Sequence, residues 1–312
     1  MTDLSIVIVS YNTRELLREC LESLTLGAAG IAVETFVVDN ASKDASAEMV
    51  AERFPQVRLI RNPDNRGFAA ANNLGLAEAT GRHVMLLNPD TVVRPGAFAE
   101  LVRFMDAHPQ AGYCGPRLVN ADGSHQLSAR RFPTWWSSAA NLLGWDKKHP
   151  ASRHCGDLHA AAGDRTEMPA GWLTGACLLV RRTAMQQVGV LDEGYFMYFE
   201  ETDWCRRLAN AGWAGWYVPS AEVLHYGGQS VGPVESDAPF FGNRPAFWVP
   251  SQRRYYRRHL GRGGHLVAVS LEVALNALLW LRHRWRKAPE SRTKARRASQ
   301  ALHHLLRRGA TA

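Results

Sequence analysis

The sequence predicts an α/β fold with a mostly parallel central sheet flanked by helices. Short apolar runs alternate with segments of helical periodicity between Leu4 and Ala107, and this alternation is typical of parallel strands joined by crossover helices. Polar residues directly follow several of these runs, at the carboxyl ends of strands where α/β sheets bind ligands. A hydrophobic content of 46% over 312 residues is sufficient for a large core.

The first part of the chain supplies four strand–helix pairs. Apolar and β-branched runs predict buried strands at Leu4–Val9, Val33–Val38, Val57–Ile60 and His83–Leu87. The spacing of apolar side chains predicts helices at Thr13–Leu26, Lys43–Phe54, Ala69–Ala79 and Pro95–Ala107. Ser42 is predicted to cap the second of these helices, and Pro95 to begin the fourth.

The periodicity weakens from residue 119 onwards. The stretch Pro133–Pro169 is rich in Trp, Gly and His, and so long a loop inside a domain is usually functional or mobile. Its tryptophans Trp135, Trp136 and Trp145 suit stacking on acceptor sugars, local packing or contact with a membrane. Regular structure is predicted again at Gly171–Val180, Arg182–Val188, Tyr195–Phe199, Glu201–Ala211 and Trp216–Val218.

The positive charge of the chain lies almost entirely near its C-terminus. Residues 282–308 contain ten Lys or Arg and a single acidic residue, Glu290, whereas the whole chain has a net charge of +8. A nucleic-acid enzyme more often carries its basic residues along a cleft, so we expect no nucleic-acid partner. A basic segment beside an apolar helix suits an anionic membrane surface; a solvated tail that aids solubility is the alternative.

An apolar segment, His265–Leu281, precedes this basic tail. It is short for a bilayer span, which needs about 20 residues. The polar positions of this region share one helical face: His265, Glu272, Asn276 and His283. The pattern predicts an amphipathic helix that lies in a membrane interface or packs on a partner, with Trp280 and Trp285 in the interfacial belt. A helix that covers the protein's own core is the alternative.

Two carboxylates follow strand ends in the first part of the chain. Asp39 comes directly after the second predicted strand, and Asp90 follows the fourth within Asn88-Pro89-Asp90. Asp39 is suited to accept a hydrogen bond from the imide N–H of uracil or thymine, or to serve as an ordinary turn aspartate. Asp90 is suited to hold a divalent cation that bridges the phosphates of a donor, with an ordinary turn role as the alternative.

A second acidic group lies in Phe199–Trp204, where a strand is predicted to meet a helix. Carboxylates at this position stabilise a helix N-terminus, but one that faces the sheet can act as a general base toward a sugar hydroxyl. Arg206 and Arg207 are placed to pair with these acids or with a phosphate. His225 precedes Tyr-Gly-Gly. Its imidazole either has a structural role or binds a metal. As a metal ligand, imidazole suits Mn²⁺ better than Mg²⁺.

The common phosphate-binding motifs are missing from the sequence. There is neither a Gly-x-x-x-x-Gly-Lys-Ser/Thr loop nor a Gly-x-Gly-x-x-Gly after the first strand, which disfavours a P-loop kinase and a dehydrogenase. A nucleotidyltransferase also uses strand-end acids and a metal. It normally shows a Gly-rich, basic loop after the first strand, where this chain has Tyr11-Asn-Thr-Arg-Glu15.

Seven short motifs over about residues 4–230 make the chain similar to a known family. They are Ile8–Asn12, Val37–Ser42, Asn65–Asn73, Leu87–Thr91, Trp172–Cys177, Phe199–Arg207 and His225–Ser230. With them the chain resembles glycosyltransferase family 2, of the GT-A fold, and most closely its rhamnosyltransferase-like members. The motifs are highly specific for the family and much less so for the sugar.

The resemblance implies a role for each motif. The residues implied in donor binding are Tyr11, Asn12, Asp39, Asn65, Arg66, Gly67, Asn88, Gly175, Ala176 and Arg207. Asp90 matches the metal-binding Asp of a variant DxD motif, and His225 would contribute from the other side of the diphosphate, so the implied cofactor is Mn²⁺ or Mg²⁺. Asn88 stands where many members have the first Asp, so metal binding rests on fewer carboxylates.

The catalytic base of the family is the second acid of a Glu-Asp pair. That position is Glu201 in this chain, a longer side chain, and Asp203 is the alternative. The base would deprotonate the acceptor hydroxyl while its oxygen attacks the anomeric carbon. The nucleotide diphosphate would leave from the opposite face, so that the configuration inverts in one displacement.

The resemblance therefore implies a metal-dependent, inverting glycosyltransferase that moves L-rhamnose from dTDP-rhamnose to a lipid-linked or cell-envelope polysaccharide acceptor. The alternatives are another hexose from a UDP or GDP donor, and a non-catalytic, membrane-associated scaffold that binds nucleotide sugars. We expect a GT-A domain at residues 1–262, with the donor part at about 1–118 and the acceptor part at about 119–262. An amphipathic and basic extension is expected at 263–312.

The location of the protein is predicted from its cysteines and its two ends. Five cysteines without a zinc or redox spacing indicate reduced thiols in the cytoplasm. The N-terminus lacks the features of a signal peptide. With the basic C-terminus, these features predict a peripheral protein on the inner face of the cell membrane, bound through an anionic surface.

Overall fold

The computed structural model describes residues 2–143, 145–149, 152, 164–227, 247–285 and 289–306. They form two compact units. The first comprises the described residues within 1–132, 157–196 and 200–232, and the second those within 133–156, 197–199 and 233–312. The expected domain boundary after residue 262 stays a prediction, because the second unit also takes in residues on the N-terminal side of that position.

The first unit is built on a large sheet. Its strands are β1 Leu4–Ser10, β2 Val33–Asp39, β3 Arg58–Arg61, β4 His83–Leu87, β5 Thr91–Val93, β6 Ala111–Val119, β7 His125–Gln126, β8 Ala129–Arg130, β9 Met168–Ala170, β10 Trp172–Leu173, β11 Cys177–Arg181 and β12 Ala214–His225. Its helices are α1 Arg14–Gly27, α2 Ser46–Arg53, α3 Gly67–Glu78, α4 Ala97–Ala107, α7 Arg182–Val188 and α8 Glu200–Asn210.

Ten of these strands form one mixed sheet in the order β3-β2-β1-β4-β11-β6-β12-β5, with β7 paired to β6 and β9 to β12. Strands β3, β2, β1 and β4 are parallel, whereas β11 runs antiparallel to both of its neighbours. Strand β12 is parallel to β6 and antiparallel to β5. Strands β8 and β10 pair separately. The predicted α/β architecture is confirmed, with antiparallel strands at one side of the parallel core.

The sheet is covered on both faces, as its apolar runs predict. All seven residues of β1 are buried. Ile6 and Ile8 belong to one apolar cluster and Val7 and Val9 to another, because successive side chains of a strand point to opposite faces. In a strand that is buried on both faces, polar and apolar residues do not alternate. The polar residues at its end therefore mark the place where the sheet meets ligand or solvent.

Several local predictions are wrong. Helix α4 begins at Ala97 and not at Pro95, and the predicted loop Pro133–Pro169 contains the helices Trp135–Leu142 and Trp145–Lys148.

Ser42 does not cap a helix, because its Oγ accepts the backbone N–H of Asn12 at 3.0 Å. Helix α2 starts only at Ser46, whose N–H donates to Asp44 Oδ1 at 3.1 Å. The segment Tyr195–Phe199 is no strand; its last two residues, Tyr198 and Phe199, both have φ of +69°.

The second unit is helical in the part that the structure describes. Its helices are α5 Trp135–Leu142, α6 Trp145–Lys148, α9 Trp248–His259, α10 Gly261–His283 and α11 Pro289–Leu306. Helix α10 has 23 residues, is longer than the expected segment His265–Leu281, and is long and apolar enough to cross a membrane by length and composition only; its expected place in a membrane interface stays a prediction. Parts of the predicted loop Pro133–Pro169 and of the motif His225–Ser230 lie outside the described residues.

Candidate active site

The candidate site lies at the carboxyl edge of the parallel strands. In the ladder of β1 with its neighbours, Ser10 pairs with Asp39 and Ile8 pairs with Leu87. The ends of β2 and β4 therefore lie at one edge with β1 between them. Since neighbouring strands are about 4.8 Å apart, Asp39 and Asn88 start from backbones about 10 Å apart. This is the edge at which open α/β sheets bind nucleotides.

Asp39 presents one free carboxylate oxygen at this edge. Its side chain is buried, and Oδ2 accepts the backbone N–H of Ser42 at 3.3 Å. Oδ1 is buried and accepts no hydrogen bond from the described residues. An unpaired buried acceptor is unfavourable, so this oxygen suits an incoming N–H group such as that of a uracil or thymine ring.

A network of asparagines holds the loop before α3. Asn40 Nδ2 donates to Asn65 Oδ1 at 2.8 Å, while Asn40 Oδ1 accepts from Asn62 Nδ2 at 2.9 Å and from the N–H of Arg66 at 3.1 Å. Asn65 Oδ1 also accepts the N–H of Gly67 at 3.0 Å. Asn65 was expected to bind the donor, but its side-chain oxygen accepts hydrogen bonds that stabilise the loop. Asn40 was missing from the predicted site, although it directly follows Asp39 at the strand end.

Gly67 begins α3 in a conformation that requires glycine. Its φ is +78°, and a Cβ there would clash with the carbonyl oxygen of Phe196. The next residue, Phe68, donates its N–H to that same oxygen at 2.7 Å. This close approach fixes the start of α3 against the segment that leads to the acidic motif.

Asn12 links the ends of β1 and β2. Its φ is +54°, and its Oδ1 accepts the N–H of Lys43 at 2.7 Å. The polar atoms of Asn12 therefore shape two loops of the site. Its neighbour Tyr11 is partly exposed, with 36% of its surface accessible, which leaves its ring available to stack on a base.

His225 and Asp90 lie side by side at the other end of the edge. The strand ladder pairs His225 with Thr91, and Tyr226 donates its N–H to the carbonyl oxygen of Asp90 at 3.0 Å. As a result, Nε2 of His225 lies 3.3 Å from Asp90 Oδ1. It also lies 3.3 Å from Nδ2 of Asn88. His225 thus meets Asn88 and Asp90 from a segment far away in the sequence, 137 residues after Asn88.

Gln126 decides which nitrogen of His225 carries the proton. Its Nε2 donates to Asn120 Oδ1 at 2.8 Å and to the carbonyl oxygen of His225 at 3.3 Å. Its Oε1 therefore faces Nδ1 of His225, at 2.6 Å, and this nitrogen is the donor. With Nδ1 as the donor, Nε2 accepts from Nδ2 of Asn88 at 3.3 Å and lies beside Asp90 Oδ1. Sequence reasoning missed Gln126, because a glutamine in a two-residue strand gives no signal.

The pair fits a divalent cation. Asp90 Oδ1 is buried, accepts no hydrogen bond from the described residues, and lies 3.3 Å from Nε2 of His225, so that a carboxylate oxygen and an imidazole nitrogen, both common metal ligands, are adjacent. Two ligands of an octahedral cation at about 2.1 Å lie ~3 Å apart, close to the 3.3 Å seen here. In the described part of the chain no cluster of three or more His, Cys, Asp or Glu is placed to bind a metal, so phosphate oxygens and water would complete the shell.

Glu200 and Glu201 begin α8 as adjacent acids, of which Glu200 is buried and Glu201 is partly buried. Burial raises the pKa of Glu201 to about 7, although backbone N–H groups, among them that of Gly175, and the charge of Arg130 favour its ionised form. Burial and the neighbouring Glu201 raise the pKa of Glu200 well above its usual range. In both residues burial favours the protonated carboxyl over the carboxylate.

Gly175 and Ala176 connect this acidic pair to the strand edge. A Cβ at Gly175 would lie 3.7 Å from Cβ of Glu201, and the carbonyl oxygen of Ala176 accepts the N–H of Asn88 at 2.9 Å. The structure therefore brings Glu201 to the same edge of the sheet as Asp90. The functional roles of these residues stay predictions.

Asp203 and Arg207 form a different, structural group. Arg207 Nε donates to Asp203 Oδ2 at 2.8 Å, and its Nη1 and Nη2 donate to the carbonyl oxygens of Val188 and Val190 at 2.8 and 2.7 Å. Tyr195 donates its hydroxyl to Asp203 Oδ1 at 3.4 Å. Asp203 is fully buried. Both side chains thus have partners within the fold, and their expected roles, Asp203 as the alternative base and Arg207 as a donor-binding residue, stay predictions.

Comparison with known proteins decides the family. The model of "Glycosyl transferase family 2" matches residues 5–165, which is just over half of the chain and includes Asp39 and Asp90. The chain belongs to glycosyl transferase family 2. This confirms the resemblance carried by the motifs.

Two curated relatives are similar over most of their length. The chain is 36% identical over 247 residues to N-acetylglucosaminyl-diphospho-decaprenol L-rhamnosyltransferase of Mycobacterium tuberculosis, which covers 74% of this chain and 79% of the relative. It is 27% identical over 233 residues to rhamnosyltransferase WbbL of Escherichia coli, with coverage of 71% and 82%. Both relatives support the rhamnosyltransferase-like branch of the family.

Solved structures confirm the GT-A fold. The mannosyltransferase PcManGT from Pyrobaculum calidifontis, in complex with GDP-Man and Mn²⁺, matches with a TM-score of 0.52 at 16% identity over 97% of this chain and 85% of the other. GalNAc-T7 with UDP, GalNAc and Mn²⁺ matches with a TM-score of 0.52 at 17% identity, over 72% of this chain and 44% of the other.

Proposed function

We propose that this glycosyltransferase moves L-rhamnose from dTDP-rhamnose to a lipid-linked glycan of the cell envelope, with inversion and with Mn²⁺ or Mg²⁺. The observation that carries the enzymatic part is the adjacent pair of metal-ligand atoms, Asp90 Oδ1 and His225 Nε2, 3.3 Å apart at the strand edge that also holds Asp39 and Glu201. The sugar and the acceptor class are supported by the names of the two rhamnosyltransferase relatives.

The way in which the donor nucleotide would bind is inferred from polar side-chain atoms at the strand edge. Asp39 Oδ1, which accepts no hydrogen bond from described residues, would accept the imide N–H of thymine. Asp90 and His225 would hold the divalent cation through Oδ1 and Nε2. A bound cation neutralises charge on the departing nucleotide diphosphate. Structures of two proteins of the same fold contain Mn²⁺, which supports this cofactor.

The acceptor end depends on Glu201. Its carboxylate would take the proton from the acceptor hydroxyl as that oxygen attacks the anomeric carbon, and a single displacement inverts the configuration. Burial raises the pKa of Glu201 to about 7, and a base is most effective when its pKa lies near the working pH. The nearby backbone N–H of Gly175 would keep the carboxylate oriented.

We place the reaction at the inner face of the cell membrane, with the protein bound peripherally. A lipid-linked acceptor resides in a membrane, and residues 282–308 carry a strong positive charge that suits anionic lipids.

A donor panel tests the proposed function. The full-length protein with Mn²⁺ is given dTDP-rhamnose, UDP-hexoses or GDP-hexoses together with a polyprenyl-diphosphate-linked N-acetylglucosamine, and products are identified by mass spectrometry. We expect rhamnosylated lipid only from dTDP-rhamnose, and none from the Asp90→Ala variant. Transfer from a UDP or GDP donor instead would refute the donor assignment. Tight nucleotide binding without transfer or donor hydrolysis from any donor would identify a non-catalytic scaffold.

A further inference from the structure

Helix α10 has its polar residues on the buried side. His265, Glu272, Asn276 and His283 are 9%, 5%, 0% and 9% exposed. Glu272 Oε1 accepts a hydrogen bond from Gln252 Nε2 of α9 at 2.7 Å, and Asn276 Nδ2 donates to the carbonyl oxygen of Glu272 at 2.7 Å. The polar row that sequence reasoning found is thus directed at neighbouring helices of the same unit.

The opposite side of α10 and the turn after it expose apolar side chains. We call this the apolar face; it consists of Leu266, Val267, Leu278, Leu281 and Trp285, which are 64%, 48%, 60%, 47% and 78% exposed. A helix of a water-soluble unit normally shows the reverse arrangement, with apolar residues inside. Residues this apolar and this exposed mark a surface that is covered in use.

Basic side chains border the apolar face at its C-terminal end. Arg282 and Arg284 are exposed, and the guanidinium of Arg284 lies 4.7 and 4.6 Å from the ring centroids of Trp280 and Trp285. Helix α11 adds the exposed Arg292. Tryptophan together with arginine is typical of the boundary between acyl chains and headgroups, and arginines attract anionic lipids.

The neighbours of α10 exclude a bilayer-spanning orientation, although its length would allow one. Helix α10 packs along α11 and against α9. Both neighbours are strongly basic, with Arg292 and Arg296 exposed on α11 and Arg257 and Arg258 exposed on α9. A spanning α10 would draw these charges into hydrocarbon, which is strongly unfavourable. An orientation in the plane of the interface lets the apolar face enter the lipid while the arginines stay among the headgroups.

We propose that the apolar face of α10 is a lipid-docking surface, inserted in the plane of an anionic bilayer with the buried polar row directed at the protein. The partner is a lipid surface, because the apolar side chains match the acyl chains of a bilayer and the arginines that border them match its anionic headgroups. This rests on the peripheral membrane location in the proposed function and deepens it by naming the face that enters the lipid; bilayer binding needs neither donor nor acceptor, so its test is separate from that of sugar transfer.

Vesicle flotation of the full-length protein tests the proposal. The vesicles contain phosphatidylcholine alone or phosphatidylcholine with phosphatidylglycerol. We expect binding to the anionic vesicles, with roughly tenfold weaker affinity after Leu278→Ser and a further loss when Leu266→Ser and Leu281→Ser are added. The matched control is Leu26→Ser on α1, at a leucine that is equally exposed (61%) and lies in the first unit; it should leave binding unchanged.

Two results would overturn the proposal. One is vesicle binding by the triple variant that equals that of the wild type. The other is a concentration-dependent dimer in sedimentation that Leu278→Ser dissociates while vesicle binding persists, because a second copy would then cover the face. Melting temperature and donor hydrolysis without vesicles should be the same in all variants, since the substituted side chains are exposed. A variant that loses hydrolysis as well would show a folding defect and refute the assignment of this face to lipid alone.

Discussion

The amide oxygen of Gln126 lies 2.6 Å from Nδ1 of His225 and thereby determines which ring nitrogen is left to bind a cation. Hydrogen bonds from Gln126 to Asn120 Oδ1 and to the backbone of His225 hold the glutamine in this orientation. A partner on the far nitrogen of a metal-binding histidine fixes both the tautomer and the ring direction. Gln126 is thus a positioning residue for the proposed metal site.

Replacement of Gln126 should weaken metal binding. We expect Gln126→Leu to lower Mn²⁺ affinity, measured by calorimetry in the presence of dTDP, by about 10- to 100-fold, because the Nδ1 proton loses its acceptor. Gln126→Glu keeps an acceptor for that proton and should retain affinity within a few fold. Melting temperatures without metal should differ little between the two variants. Equal Mn²⁺ affinity for Gln126→Leu and the wild type would remove Gln126 from the site.

Glu201 and Asp203 offer a matched pair of substitutions. Glu201→Gln should lower the transfer rate by about 10²- to 10⁴-fold, because the acceptor hydroxyl loses its base, while affinity for dTDP and Mn²⁺ stays the same. The folded state should not be weakened, since the amide removes a partly buried charge. Steady-state kinetics and calorimetry on one preparation separate the two effects. A variant with normal turnover would exclude Glu201 as the base.

Asp203→Asn should act on stability. Asp203 is fully buried and paired with Arg207 at 2.8 Å, and loss of one partner of a buried ion pair costs about 3 kcal/mol. Denaturant unfolding should show a lower free energy of unfolding, and the folded variant should keep its transfer rate at saturating substrates. If turnover falls as far as in Glu201→Gln while stability is unchanged, Asp203 is the base.

The pH dependence of transfer should report Glu201. Its pKa is raised to about 7 by burial, and only the carboxylate accepts a proton. The value of kcat/KM should therefore fall by about tenfold for each pH unit well below 7 and reach a plateau above it. The assay is a pH series at constant ionic strength with donor and Mn²⁺ held constant. An acid limb near pH 4.5 would indicate a solvated carboxylate instead.

The parallel half of the fold and the acids at its edge were predictable because both depend on local sequence. Buried strands give continuous apolar runs, and Asp39 and Asp90 follow such runs directly, so their common edge is a consequence of parallel pairing. The family motifs then supplied Glu201 and His225, which no periodicity marks.

The remaining features depend on contacts between distant segments. Gln126 reaches His225 only because β7 pairs with β6, which lies beside β12. Sequence spacing also does not show that Arg207, the partner of Asp203, donates to the carbonyl oxygens of Val188 and Val190. The side on which α10 packs is set by its hydrogen bond to Gln252, and helical spacing alone cannot choose between the two sides.

Asp39→Asn should change the choice of nucleobase. In the wild type, Oδ2 accepts the N–H of Ser42 at 3.3 Å and Oδ1 remains for the imide N–H of thymine or uracil. Asparagine has a single oxygen and cannot accept from both groups. Loss of a hydrogen bond to a charged acceptor should weaken dTDP and UDP binding by about 10- to 100-fold. Cytosine carries no proton at the equivalent ring nitrogen, so CDP affinity should stay constant or rise. Calorimetric titration with the three nucleotides checks this, and a uniform loss for all three would mean that Asp39 supports the loop and does not read the base.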